Sequence, residues 1–443
     1  MGKAGKLTRP QSAGFGGREA PESVKQASLR HDSVIFRSRA PSKKHSDAKT
    51  TRFTEQEAIM ISLNELDEAI AAILPEVRDF RHRLHRIPEI AGREFKTAAA
   101  IREALAPLGL ELQRPFLQTD VVALLNRGQA KNITLRADID ALPVEETSKS
   151  CPYRSTHPGM MHACGHDGHA AMLYGAARIL ASLRDGTPCS VRFLFQPGEE
   201  MAGLAHDLLD AGALLAPEPD FITGLHSWPG EPYGKICTRP GVLMAAAGFF
   251  RIALHGQGGH GSLPRLAKNP IDCAADIMTA CRSIVPDDCV LAFCACHAGS
   301  SNIVIPETME LKGTIRFPEM ESGMKLLADF EATVRAIAEQ RGIRSEFSCP
   351  LSYPPLINRP GDYERIRSLV VENCGHEAFF ELPEHTMSSE DFSWYLAKYP
   401  GVFCHIGGGD SAPLHSDRFD FDDNLLPVGI RYFCLAVLKL LTK

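Results

Sequence analysis

Four short apolar runs separated by glycine-containing and helix-like stretches limit what this chain can fold into more than any other feature. The runs are Val121–Leu125, Ile133–Ala137, Val191–Phe195 and Phe221–Leu225, and a helical stretch from Ala170 to Leu183 lies between the second and third. Runs this short and this apolar read as strands buried on both faces. Strand and helix in alternation predict an α/β fold, a mixed sheet flanked by helices. Upstream, Ile59, Leu63, Leu66 and Ile70 share one helical face. Pro75 then stands as a breaker before Val77, Phe80 and Leu84. A further helix is predicted from Glu94 to Leu108, stopping near Gly109.

From Met244 to Pro350 the rhythm changes. Phe249–Leu254, Asn302–Ile305 and Met309–Phe317 read as strands, with helices over Pro270–Ile284 and Met324–Gln340. That pattern suits a smaller α+β domain set into the first. The α/β character resumes afterwards, with Val402–Ile406 as another strand. The predicted organisation is a basic tail (1–52), a catalytic domain in two parts (53–243 and 351–443), and an inserted domain (244–350). With 443 residues and 44% hydrophobic content, the chain is long enough for more than one core. No internal repeat is visible.

The tail is rich in Ser, Ala, Arg, Lys and Gly and shows no helical stripe, a composition that cannot offset the entropy of ordering. It reads as a disordered extension or a start placed upstream of the true one, with an Arg- and Ser-rich targeting segment as the other reading. It carries a net charge of +8 against −6 for the whole chain, leaving −14 on the body. A body this acidic argues against nucleic acid as the main partner. No apolar run reaches the ~18–20 residues that cross a bilayer. Thirteen cysteines without regular spacing suit a reducing compartment, with the cytoplasm as the expected location.

Four segments at predicted strand ends, where open α/β sheets place their sites, carry the chemistry. The first is Met161-His162-Ala163-Cys164-Gly165-His166-Asp167-Gly168-His169. Cys164 and His166, two residues apart in a Gly-containing loop, can turn thiolate and imidazole towards one divalent ion. The second is Gln196-Pro197-Gly198-Glu199-Glu200, directly after an apolar strand. Two adjacent carboxylates there are costly to desolvate without a cation. One can ligate while its neighbour takes a proton from water. The third and fourth are Leu225-His226 and Leu414-His415. A lone histidine is usually a core or surface residue, and a Glu-Glu pair is usually a solvated helix start. The set of Cys164, His166, Glu200, His226 and His415 is what argues for a site, with enough ligands for two ions if one group bridges.

With these residues in place the chain resembles the hippurate hydrolase and N-acyl-amino-acid amidohydrolase branch of the dinuclear-metal aminoacylase/carboxypeptidase family. The similarity runs from about Arg81 to Val428. Its landmarks include Arg83-Leu84-His85-Arg86-Ile87-Pro88-Glu89, Leu135-Arg136-Ala137-Asp138-Ile139-Asp140, the His162–His169 segment, Gly256-Gln257-Gly258-Gly259-His260, Asn302-Ile303-Val304-Ile305-Pro306, Gly313-Thr314-Ile315-Arg316 and Ser389-Glu390-Asp391-Phe392. The resemblance implies five metal ligands, Cys164, His166, Glu200, His226 and His415, with Cys164 bridging. It implies Glu199 as the general base and Asp140 as the residue that holds a ligand histidine's ring. Asp138 stands where the wider family has a histidine, and the cysteine-containing branch shares it, so it is not counted as a ligand.

The inserted segment would be a lid and dimerisation domain. There His260 would stabilise the oxyanion, and Asn302 and Arg316 would bind the substrate's free carboxylate. Arg265 and Asn269 depart from the branch pattern at positions that are not ligands, and Arg265 near the lid turn could shift substrate preference. The implied activity is hydrolysis of an N-acyl or N-aroyl amino acid by a homodimer holding two divalent ions, manganese, zinc, cobalt or nickel. A dipeptidase or carboxypeptidase, or a dedicated N-acetyl-diamino-acid deacetylase, uses the same chemistry. A silent binding protein would have lost the base or a ligand, and a purely structural zinc site would have no use for Glu199.

Overall fold

The computed structural model describes residues 61–148, 151–201 and 203–441. The basic tail and Ile59 lie outside this set. The first helix, Leu63–His85, opens on a capping box in which Ser62 Oγ accepts from Glu65 N–H and the Glu65 carboxylate accepts from Ser62 N–H. The break expected at Pro75 does not occur: Pro75 lies inside one continuous helix of 23 residues. A proline there costs roughly 3 kcal/mol. Leu66, Ile70, Val77, Phe80 and Leu84, on both sides of it, are all buried in one core. At roughly 1.5–3 kcal/mol for each such side chain, burial outweighs the proline. The second helix runs Phe95–Leu105 and tightens into a 3-10 turn that ends at the left-handed Gly109.

The four apolar runs are strands of an eight-stranded mixed sheet. Its order is Glu111–Leu112, Val121–Leu125, Ser190–Gln196, Asn132–Asp138, Phe221–Trp228, Gly401–Gly407, Ile236–Thr238 and Phe379–Glu381. Four central neighbours, from Ser190–Gln196 to Gly401–Gly407, run parallel; Val121–Leu125 and Ile236–Thr238 flank them antiparallel, and Phe379–Glu381 pairs parallel with Ile236–Thr238. Alternate residues serve opposite faces. Val121, Ala123, Phe193 and Cys404 join the core under helices Leu63–His85, His166–Ser182 and Leu426–Lys439. Val122, Leu194, Ile222 and Phe403 join the core on the other side, with Tyr395 and Leu396 of the short helix Ser393–Lys398.

Residues 246–353 supply a second sheet of five strands, all antiparallel. Ile277 and Phe330, from helices Pro270–Cys281 and Met320–Gln340, pack on its Phe250, Ile252 and Leu311. An α/β body with a smaller α+β unit is thus the observed architecture. The strand Val290–Ala298 escaped the sequence reading. It is an edge strand with a bulge between Phe293 and Ala295, and that irregularity breaks the alternation of buried and exposed positions. The strand expected over Asn302–Ile305 is only Val304–Ile305, paired with Gly259–His260 in a two-stranded ribbon. Among the described residues no helix is long and apolar enough to cross a membrane, and all thirteen cysteines are free.

Candidate metal centre

Three of the parallel strands deliver site residues at their carboxyl ends. Asn132–Asp138 leads to Asp140, Ser190–Gln196 leads to Glu199 and Glu200, and Phe221–Trp228 carries His226 near its end. His166 is the first residue of the helix His166–Ser182. Gly165, at φ +91°, makes the turn between Cys164 and His166, and a Cβ there would come within 2.7 Å of Ser227 Oγ. His415 reaches the same place from the C-terminal segment. It adopts a left-handed φ of 63° and its backbone N–H donates to the Ala163 carbonyl at 2.8 Å.

The five proposed ligands converge. One ligand atom from each of Cys164, His166 and Glu200 lies within 4.8 Å of the others. Cys164 Sγ is 3.4 Å from His226 Nε2 and 3.4 Å from His415 Nε2. Glu200 Oε1 is 3.1 Å from His415 Nε2 and 3.8 Å from His166 Nε2. Each buried imidazole is oriented through its other nitrogen. His166 Nδ1 faces the Asp140 carbonyl oxygen at 2.9 Å and Asp140 Oδ1 at 3.2 Å, while His226 Nδ1 faces the Ser227 carbonyl oxygen at 2.8 Å. Asp140 Oδ2 also accepts from Glu200 N–H at 3.0 Å. One carboxylate therefore positions two of the five.

The donor set fits cations. His166 Nε2 is buried with no hydrogen-bond partner. Burial, then the Glu200 and Glu199 carboxylates, push the Cys164 thiol well above its usual range. Burial, then Glu390 and Glu200, do the same to Glu199. A thiol, three imidazoles and two carboxylates held this closely make a donor set that suits positive charge. His169 belongs to a second cluster with Asp138, His166 and His226, but both its nitrogens are already used. Nδ1 lies 2.7 Å from Asp138 Oδ1, and Nε2 accepts from Ser227 N–H at 2.9 Å.

Behind Glu199 stands a network that the sequence reading did not assign. Arg136 is fully buried and bonds Asp138 at 2.7 Å, Glu390 at 2.9 Å, Asp391 at 3.0 Å and the side-chain oxygen of Gln196 at 2.9 Å. Oxygens of Glu199, Glu390 and Asp391 lie within 4.8 Å of one another. One guanidinium thus serves three carboxylates, with Glu199 beside them. Burial holds Glu390 and Asp391 above the usual carboxylate range, against the pull of Arg136. In the sequence, Arg136 and the Glu390-Asp391 pair stand only within the landmark segments of the resemblance, because nothing local links positions 254 residues apart.

The centre opens into a cavity of about 570 Å³. Cys164, Glu199, Glu200, His226 and His415 line one part, and Trp228, Met244, Phe249, Val290 and Met387 supply an apolar part. Arg316, from the second sheet, also lines it. Its Nε donates to Thr314 Oγ1 at 3.0 Å, its Nη1 to Ser389 Oγ, and its guanidinium lies 5.7 Å from the Phe249 ring centroid. Among the described residues no carboxylate forms an ion pair with it. His260 and Asn302 are placed differently. Both are exposed at or beside the two-stranded ribbon, and neither lines this cavity. His260 Nδ1 accepts from Ser262 N–H at 3.1 Å.

Residues 134–439 match the family model described as Peptidase family M20/M25/M40. The chain is 34% identical over 373 residues to an N-acetylcysteine deacetylase of Bacillus subtilis, covering 82% of this chain and 97% of that protein. It is 33% identical over 405 residues to a thermostable carboxypeptidase of Saccharolobus solfataricus, covering 86% and 100%. A crystal structure of a Bacillus subtilis protein described as a dinuclear metal binding peptidase from M20 family superposes with a TM-score of 0.73 at 31% identity, covering 84% and 99%.

Proposed function

The chain belongs to peptidase family M20/M25/M40, and from that premise we propose that it hydrolyses the amide bond of N-acyl or N-aroyl amino acids. The observation that carries this reading is Arg316. A guanidinium without an ion-pair partner among the described residues faces the same cavity as Glu199 and Glu200. It offers a fork for a free carboxylate beside the residues that would cut the bond. The apolar side, with Trp228, Met244 and Phe249, suits the acyl group.

Cys164, His166, Glu200, His226 and His415 would hold two divalent ions. When bound, the ions supply Lewis-acid charge that polarises the amide carbonyl and makes a water more acidic. Zinc, cobalt and nickel suit the thiolate and imidazoles, and the carboxylate admits manganese. Glu199 takes the proton of the attacking water and passes it to the departing amine nitrogen. Asp140 keeps His166 and Glu200 in place. His260 and Asn302 would reach the carbonyl oxygen and the substrate carboxylate when the ribbon meets a cavity. Exposed Leu263, Leu266, Ile303 and Val304 surround that ribbon, an apolar patch that a second copy would cover in a homodimer. Thirteen free cysteines favour a reducing, cytoplasmic setting.

A hydrolysis panel of N-acetyl, N-benzoyl and indole-acyl amino acids, with dipeptides and an N-acetyl diamino acid alongside, tests the reading. Turnover of acyl amino acids should be lost on chelation, return with added metal, and vanish in Glu199→Gln. Preference for dipeptides, or no turnover with both ions bound, overturns it.

A further inference from the structure

A second group of ligand-type side chains lies apart from the five above, between the end of the first helix and the segment that follows Pro143. It comprises His85, Glu146 and Cys151, whose ligand atoms all fall within 4.8 Å of one another. We propose that these three residues form a third cation site, suited to zinc or another borderline divalent ion.

The geometry is that of a prepared ligand set. His85 Nε2 and Glu146 Oε2 are 3.6 Å apart. Two ligands on one tetrahedral zinc, with bonds of about 2.0–2.2 Å, stand roughly 3.4 Å apart. His85 is buried, its Nε2 makes no hydrogen bond, and it points at Glu146. Its Nδ1 faces Asp167 Oδ2 at 2.9 Å. This carboxylate–imidazole arrangement fixes the tautomer and raises the basicity of a ligand histidine. Glu146 is anchored too, since its Oε2 accepts from Ser155 N–H at 2.7 Å. The Tyr153 backbone N–H bonds to the Cys151 thiol, and the Tyr153 ring stacks on His82 with centroids 3.6 Å apart while its hydroxyl donates to Asp420 at 2.7 Å.

The surrounding carboxylates are shared with cations: Asp167, Asp420 and Asp423 all pair with the buried Arg81, Asp423 also pairs with Arg78, and Glu146 stands between His85 and Arg154. What favours an ion here is therefore the ligand geometry. Zinc binding would displace the His85 Nε2 proton and the Cys151 thiol proton, so affinity should rise with pH. The partial exposure of Cys151 gives the ion a way in. His162, whose two ring nitrogens are both buried without partners, has its ring centroid 6.2 Å from that of His85 and offers a further imidazole. An ion here would tie Glu146 and Cys151 to the last turn of the first helix. It would also fix His85 against Asp167, the neighbour of His166.

The experiment is a zinc count on the full chain, stripped with chelator, reloaded and measured by mass spectrometry of the metal. Wild type should carry three ions per chain, and Cys151→Ala and Glu146→Gln two each, with amide hydrolysis by Cys151→Ala retained. Zinc should also slow alkylation of Cys151, read by peptide mapping, at least tenfold, while alkylation of the exposed Cys294 stays unchanged. A wild-type count of two, an unchanged count in both variants, or alkylation of Cys151 indifferent to zinc would each overturn the site.

Discussion

Arg136 and Glu390 meet at 2.9 Å across 254 residues of sequence, joining the strand Asn132–Asp138 to the segment before the helix Ser393–Lys398. The same guanidinium reaches Asp138, Asp391 and Gln196, and it is fully buried. Removing one partner of such a network leaves buried charge without compensation, at a cost of about 3–5 kcal/mol. Arg136→Met should therefore unfold at clearly lower urea concentration than wild type. Glu390→Gln keeps the shape and can still accept from the arginine, so its midpoint should move far less. Equal midpoints for wild type and Arg136→Met would remove the network from any account of stability.

Asp140 is predicted to act through the residues it holds. Its carbonyl and side-chain oxygens orient His166, and its other oxygen holds Glu200 N–H at 3.0 Å. Loss of such support typically costs about 10–100-fold in metal affinity. Asp140→Ala should lose its ions to a competing chelator at correspondingly lower chelator concentration, and excess metal should restore part of its turnover. A merely structural role would lower the unfolding midpoint and leave chelator competition unmoved.

How much of this was legible beforehand follows from what is local. The four buried strands and the convergence of Cys164, His166, Glu200, His226 and His415 were readable, because short apolar runs and a Cys-x-His loop keep their meaning in one dimension. Pro75 misled because propensity was weighed without the packing on both sides of it. The edge strand Val290–Ala298 was lost to a bulge. His169 and Asp138 satisfy each other at 2.7 Å, which no spacing rule separates from a ligand pair. Arg136 and Glu390 needed the fold itself. The exposed placement of His260 and Asn302, away from the cavity lining, likewise followed only from the way the second sheet is built.

His85 provides a pH test. Burial alone would lower its pKa, but the Asp167 carboxylate and Glu146 outweigh that and raise it to about 9. A pKa higher in the folded state than in the unfolded chain stabilises the fold while the group is protonated. The contribution is complete below the ordinary value of about 6.5 and disappears as pH rises through about 9. A shift of this size corresponds to on the order of 3 kcal/mol. In chelator-treated protein, wild type should lose more unfolding free energy between pH 6 and pH 9.5 than His85→Gln does. Parallel pH profiles for the two proteins would show that the Asp167 pair contributes nothing on folding.

Arg316 separates recognition of the substrate from chemistry. It stands in the cavity on Phe249, with Thr314 and Ser389 steering its guanidinium. If it binds the free carboxylate, Arg316→Ala loses a charge-assisted fork worth roughly 1.5–3 kcal/mol. That is about a 10–150-fold fall in kcat/KM on an N-acyl amino acid. Arg316→Lys should recover only part of it, since an ammonium cannot reproduce the paired geometry. The amide of the same substrate, lacking the carboxylate, should be cut equally slowly by wild type and by Arg316→Ala. Should the variant lose activity equally on both substrates, Arg316 would be a support for the Phe249 and Ser389 wall, and the cavity's carboxylate contact would have to be sought elsewhere.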